Sequence, residues 1–210
     1  MINRVWLRRF FDNAALLVSV PALFSLAGYW GLFSEEPWAL SAMAPLTLLF
    51  AALMLTIVQI TTVRMNLNLA VGFGVTRRQA CWGTLLAQYG LMTVCVLAAL
   101  GEGVLLSKGQ NLSAIGPLAA LLVLMGNLGM MAGLAQDSGK MGQIFAFCVM
   151  ILASAMIGGL CSLQITMGAQ VLDTIASFLD HPALYAAALT AAAAGVPLLM
   201  RYAARMRVSF

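Results

Sequence analysis

Six long apolar stretches, with almost all the positive charge confined to alternate gaps between them, limit what this chain can fold into more than any other feature. A bilayer's hydrocarbon core is about 30 Å thick, so a spanning helix needs about 20 mostly apolar residues. Stretches of that kind lie at roughly 14–33, 39–63, 81–106, 117–136, 143–163 and 183–200. Only 9% of the chain is charged, against about a quarter in a soluble domain, so no water-facing surface can be built from it. Backbone groups in lipid must be paired within the segment, and the period-2 alternation of a barrel strand is missing from these runs. An all-α membrane protein of six transmembrane helices, in a single transmembrane domain over 1–210, is the expectation.

The gaps supply the orientation. Arg4, Arg8 and Arg9 precede the first stretch, and Arg64, Arg77 and Arg78 fill the second gap. Lys140 lies in the fourth gap, and Arg201, Arg205 and Arg207 lie in the tail, so ten of the eleven Lys and Arg residues share one side. The other side has Lys108 and collects Glu35, Glu36, Asp173 and Asp180. Positive residues stay cytoplasmic, which predicts a multi-pass membrane protein with both termini on the cytoplasmic side. The net charge of +4 is then a topology signal and not one for nucleic acid.

The ends and gaps carry finer expectations. Arg4, Arg8 and Asp12 recur at helical spacing opposite Ile2, Val5, Trp6 and Phe10, which predicts an interfacial amphipathic helix over 1–13. A cleaved signal peptide is the competing reading, but the apolar run continues through Gly28, Tyr29, Trp30 and Phe33. Ser34–Trp38 reads as a tight outer hairpin, and Pro117 reads as a helix-start residue. Pro21, Pro45 and Pro197 fall inside spans and predict kinks. In 164–182, Val171, Leu172, Ile175, Phe178 and Leu179 share one helical face, predicting a short amphipathic extracellular helix between spans five and six. Gly126, Gly129 and Gly133 form a small-residue stripe suited to close helix packing. The four cysteines lack CxxC spacing and read as small buried hydrophobes.

The second gap holds the most specific local chemistry. Thr76 and Gln79 have capping-box spacing, so a helix is expected to begin at Thr76, after a break marked by Gly72 and Gly74. Arg77 and Arg78 in its first turn oppose the helix dipole, and lipid phosphates or an acidic partner are expected to offset that cost. Residues 65–73 alternate as a strand would, but a lone strand beside a membrane has two unpaired edges; a short helix is the preferred reading.

Gly74-Val75-Thr76-Arg77-Arg78-Gln79, followed by Gly83-Thr84-Leu85-Leu86-Ala87, resembles the loop-to-third-span signature of type-2 ABC transporter permeases. The resemblance is greatest to the small permeases of Gram-positive bacteria linked to peptide-antibiotic and multidrug export. Gly133-Leu134-Ala135 with Gly139-Lys140-Met141-Gly142 is similar to the turn between those permeases' fourth and fifth spans. The resemblance implies six spans, an N-terminal interfacial helix and a coupling helix in the 64–80 loop that docks on a separate ATP-binding subunit. Carried over by position, the docking residues are Asn66, Asn68, Ala70, Gly72, Gly74 and Thr76, with Arg77 and Arg78 as a basic flank. Many members carry an acidic residue ahead of the coupling helix, where this chain has Arg64.

The chain is not expected to be an enzyme. It has no phosphate loop: no glycine stands five residues before Gly139, and Met141 replaces the required Ser or Thr. ATP and Mg are therefore expected on the partner subunit, with no cofactor here. Glu35-Glu36 lacks the following Arg of intramembrane prenyl-processing proteases, His181 is the single histidine, and GxSxG is absent. Gln59, Gln88, Glu102 and Asn127 are costly in lipid, so they are expected to face protein or a transport path, with Glu102 a candidate for an exit route of a cationic substrate. The leading expectation is the permease of an ATP-driven exporter of a peptide, lipid-like or drug-like substrate, working as a pair with a second copy or a related permease. The alternative is the substrate-binding membrane subunit of a small-molecule uptake transporter.

Overall fold

The computed structural model describes residues 43–105, 112–167 and 177–205. They form five long helices: α1 (Met43–Gly72), α2 (Arg77–Leu105), α3 (Leu112–Ala135), α4 (Lys140–Met167) and α5 (Pro182–Arg205), with a 3-10 turn over Gln136–Ser138 between α3 and α4. No strand occurs among them. α1, α2, α5 and the unit of α3 with its 3-10 turn are each long and apolar enough to cross a membrane. The described residues are thus all-helical in fold, and their four candidate spans mark a membrane protein. α4, which contains the predicted span 143–163, is 28 residues long, and its Lys140–Met156 portion is an apolar helical stretch. The predicted first span at 14–33, the interfacial helix over 1–13, the 34–38 hairpin and most of the amphipathic segment in 164–182 lie outside the described residues.

α3 is the hub, packing on α1, α2, α4 and α5. Lipid is as apolar as leucine, so helix association in a membrane rests on close packing and polar contacts, with little hydrophobic drive. The glycine stripe supplies that closeness. A Cβ at Gly129 would lie 2.8 Å from the Thr56 carbonyl oxygen, and one at Gly133 would lie 2.7 Å from that of Gln59. At Gly126 it would collide with Leu55 and Met92. The α3 backbone therefore rests directly on the backbone of α1, as the stripe predicts.

Several threonines within the helices satisfy their hydroxyls locally. Thr56 donates to the Ala52 carbonyl, Thr62 to Val58 and Thr84 to Ala80, the usual solution for a hydroxyl away from water. Three apolar clusters fill the interior, the smallest joining Ile60, Ala132, Ala146 and Val149; the two larger ones lie toward opposite ends. One joins Leu48, Leu55, Met92, Leu121 and Met125; the other, toward the opposite end, joins Val63, Leu67, Cys81, Met130 and Leu199.

Two boundaries differ from the sequence reading. α3 begins at Leu112, so Pro117 lies inside the helix. Ala114 and Ile115 are buried against α1 and α2, and their packing holds the preceding turn helical despite the donor that proline removes. α1 does not stop near residue 63 but runs through Asn66 and Asn68 to Gly72. Its 30 residues extend about 45 Å at 1.5 Å per residue, well beyond the hydrocarbon thickness. The segment expected as a separate short helix is the last part of α1, packed on α2 and α5 through Leu67 and Ala70, and 64–80 is two helix ends joined by a four-residue turn.

Candidate functional site

That turn has a physical cause at every residue. Gly74 adopts φ +81° and closes α1 with a paired cap, its own N–H bonding the Val71 carbonyl at 3.0 Å and the Val75 N–H bonding that of Ala70 at 3.0 Å. This is the Schellman arrangement, which needs a left-handed residue and so favours glycine. Val75 then packs back on the cluster that holds Ala70. Thr76 starts α2: its Oγ1 accepts the Gln79 N–H at 3.3 Å and its carbonyl accepts the Ala80 N–H at 2.9 Å, the N-cap that the Thr76–Gln79 spacing predicts.

Arg77 reaches across the bundle end and donates to the Ala204 carbonyl at 2.8 Å. The positive charge that opposes the α2 dipole thereby sits on the unsatisfied, partly negative C-terminus of α5. Here the expectation of a lipid or acidic partner for Arg77 meets an acceptor within the chain. Arg78 is exposed.

A second link joins three elements at the same end. Arg64 of α1 forms an ion pair with Asp137 of the 3-10 turn, and the Tyr202 hydroxyl of α5 donates to the other carboxylate oxygen of Asp137 at 2.5 Å. Sequence reading missed Asp137 and Tyr202. The available signal was that Asp137 is the lone acid, among the described residues, at an end holding Arg64, Arg77, Arg78, Lys140, Arg201 and Arg205. Those six are also all the Lys and Arg residues described. Two glycines shape the neighbouring turn. Gly139 has φ +83° and ψ −158°, and Gly142 lies so close to the Ala135 carbonyl that a Cβ has no room.

The end of α1 and the turn after it present an apolar stripe. Met65, Leu69 and Phe73, spaced four apart, are 51%, 38% and 78% exposed, beyond the charged Arg64. Of the other residues carried over by the resemblance, Asn68, Gly72, Gly74 and Thr76 are exposed, Asn66 is half-buried and Ala70 is buried. Beside this tip, Asn68, Asp137, Ser138, Arg201, Tyr202 and Arg205 border a cavity of about 730 Å³.

The polar residues within the spans fall in separate places. Gln88 and Asn127 meet in the buried interior, Gln88 Nε2 donating to Asn127 Oδ1 at 3.5 Å and the Tyr89 hydroxyl donating to the same atom at 3.0 Å. Asn127 Nδ2 bonds the Val123 carbonyl at 2.8 Å, while Gln88 Oε1 is buried without a donor. Gln59 is buried on α1, its carbonyl against Gly133. Glu102, about 20 Å further along α2 than Gln88, accepts the Thr47 hydroxyl at 2.7 Å. None of the four borders the 730 Å³ cavity.

Protein-family models, curated protein sequences and solved structures give no match to this chain.

Proposed function

We propose that the chain is the membrane-spanning permease subunit of an ATP-driven ABC exporter, with ATP and Mg bound on a separate cytoplasmic subunit. The observation that carries this is the exposed Met65–Leu69–Phe73 stripe at the end of α1 and its following turn, beyond Arg64, capped by Gly74 and flanked by Arg77 and Arg78. A large apolar side chain gains about 1.5 kcal/mol or more when fully buried, so three in register make a strong partner surface. Because the tip continues α1 without a break, a push on it moves the span itself. α1 is locked to α3 through glycine and to the α5 end through Asp137, so ATP-driven closure of the motor would rock the bundle between inward- and outward-open states. A second copy or a related permease completes the path, and the substrate class is a peptide, lipid-like or drug-like molecule.

The test is purification of the tagged full chain from its own membranes in mild detergent. Mg-ATP hydrolysis is expected to co-elute, and Phe73→Asp is expected to abolish the co-elution without lowering the chain's own melting temperature. A chain that elutes alone, and is stabilised by a small vitamin-like molecule in the absence of ATP, would instead indicate the substrate-binding subunit of an uptake transporter.

A further inference from the structure

The coupling proposal leaves the 730 Å³ cavity unused. Its size falls in the range of ligand sites, and its two halves differ in chemistry. Arg201 and Arg205 stand one helical turn apart at its border, both exposed, and neither is ion-paired among the described residues. The one carboxylate at the border, Asp137, is already engaged by Arg64 and Tyr202. The net offer is two guanidinium groups, with Asn68 and Ser138 as further donors.

The opposite wall is apolar: Met131, Leu134, Phe145 and Leu198. Phe145 and Leu198 are 40% and 41% exposed, so this wall opens to the outside of the helix bundle on the apolar helices α4 and α5, where Ile144 beside Phe145 is also exposed. A ligand that is anionic at one end and apolar along its length, arriving sideways through the bilayer, matches both halves. A soluble anion would leave the apolar half unfilled, and an acidic peptide from the cytoplasm would not. The opening to the outside of the bundle on these apolar helices favours the lipid.

We propose that this cavity binds an anionic phospholipid, its phosphate held by Arg201 and Arg205 and its acyl chains lying along Phe145 and Leu198. Planar guanidinium groups suit phosphate oxygens, and basic pockets between spans near the membrane surface hold lipid head groups. The proposal stands apart from motor docking, which uses the Met65–Phe73 face.

Native mass spectrometry of the full chain, released from detergent with phosphatidylglycerol or phosphatidylethanolamine added, tests it. One phosphatidylglycerol adduct is expected to persist, with phosphatidylethanolamine binding more weakly. The double variant Arg201→Gln/Arg205→Gln is expected to weaken the adduct about thirtyfold, the combined effect of two basic residues beside an anionic head group. Leu198→Trp, which fills the cavity and keeps both arginines, is expected to displace it as well, and Arg78→Gln is expected to leave it unchanged. Retention of the adduct in the double variant or in Leu198→Trp overturns the proposal. So does displacement by equimolar inorganic phosphate, which marks a soluble-anion site. Loss of co-purifying ATPase in the double variant with an intact adduct assigns the arginines to a protein partner instead.

Discussion

Gly72 and Gly74 lie two residues apart in the tip and are glycine for different reasons. Gly72 is helical, and a Cβ there meets nothing within 4 Å, so Gly72→Ala should raise stability by about 0.4–1 kcal/mol through the unfolded chain. Gly74 sits at φ +81°, where an L side chain costs about 1–2 kcal/mol, so Gly74→Ala should lower the melting temperature. Paired thermal melts in detergent decide it, and equal shifts would contradict the cap. At Gly142 the obstacle is the Ala135 carbonyl, which cannot rotate away; Gly142→Ala should cost about 1–3 kcal/mol as overpacking, read in the same melts. Gly74 and Thr76 were legible in the sequence because caps are local: a hydroxyl oxygen three residues before the backbone N–H that it accepts, after a glycine. The Arg64–Asp137–Tyr202 link was not, because its members come from three distant segments and only folding brings the lone acid to the basic end.

Helices were legible where their signal was hydropathy, and less so where packing set their ends. The charge of Arg64 marks the membrane boundary in the sequence, yet nothing in Met65–Gly72 stops a helix, so α1 continues. Pro117 carries a start signal, but Ala114 and Ile115 pack into the core before it and extend α3 backward. The small-residue stripe on α3 was readable from spacing alone, since three glycines on one face have few other uses in lipid. Its partner face, the α1 backbone at Thr56 and Gln59, was not. Gly133→Val should force α1 and α3 apart, at a cost of about 1–3 kcal/mol, while leaving α2's N-cap intact; an unchanged melt would refute the close approach. The link between α1, the 3-10 turn and α5 should show a coupling of about 0.5–1 kcal/mol in a double-mutant cycle of Arg64→Gln and Asp137→Asn. Additive effects would mean that the pair does not hold the elements together.

At the scale of the molecule, the described charges divide by end: six basic residues with Asp137 at one, and Glu102 and Asp180 at the other. The basic end is where helices are tied together, by Arg77 on the α5 C-terminus and by Asp137 between α1 and α5, and it also carries the apolar stripe and the cavity. The polar groups within the spans do not gather in this way. Gln88 with Asn127, and Glu102 with Thr47, are local solutions to burial in α2, α1 and α3. Both proposed partners, a motor on the α1 tip and an anionic lipid between α3, α4 and α5, would bind at the basic end. The most direct measurement is photo-crosslinking in native membranes from a photoreactive residue at position 73. One dominant protein adduct is expected, and the captured protein binds Mg-ATP. Crosslinking to lipid alone, with no ATP-binding protein captured, would contradict docking of a motor there.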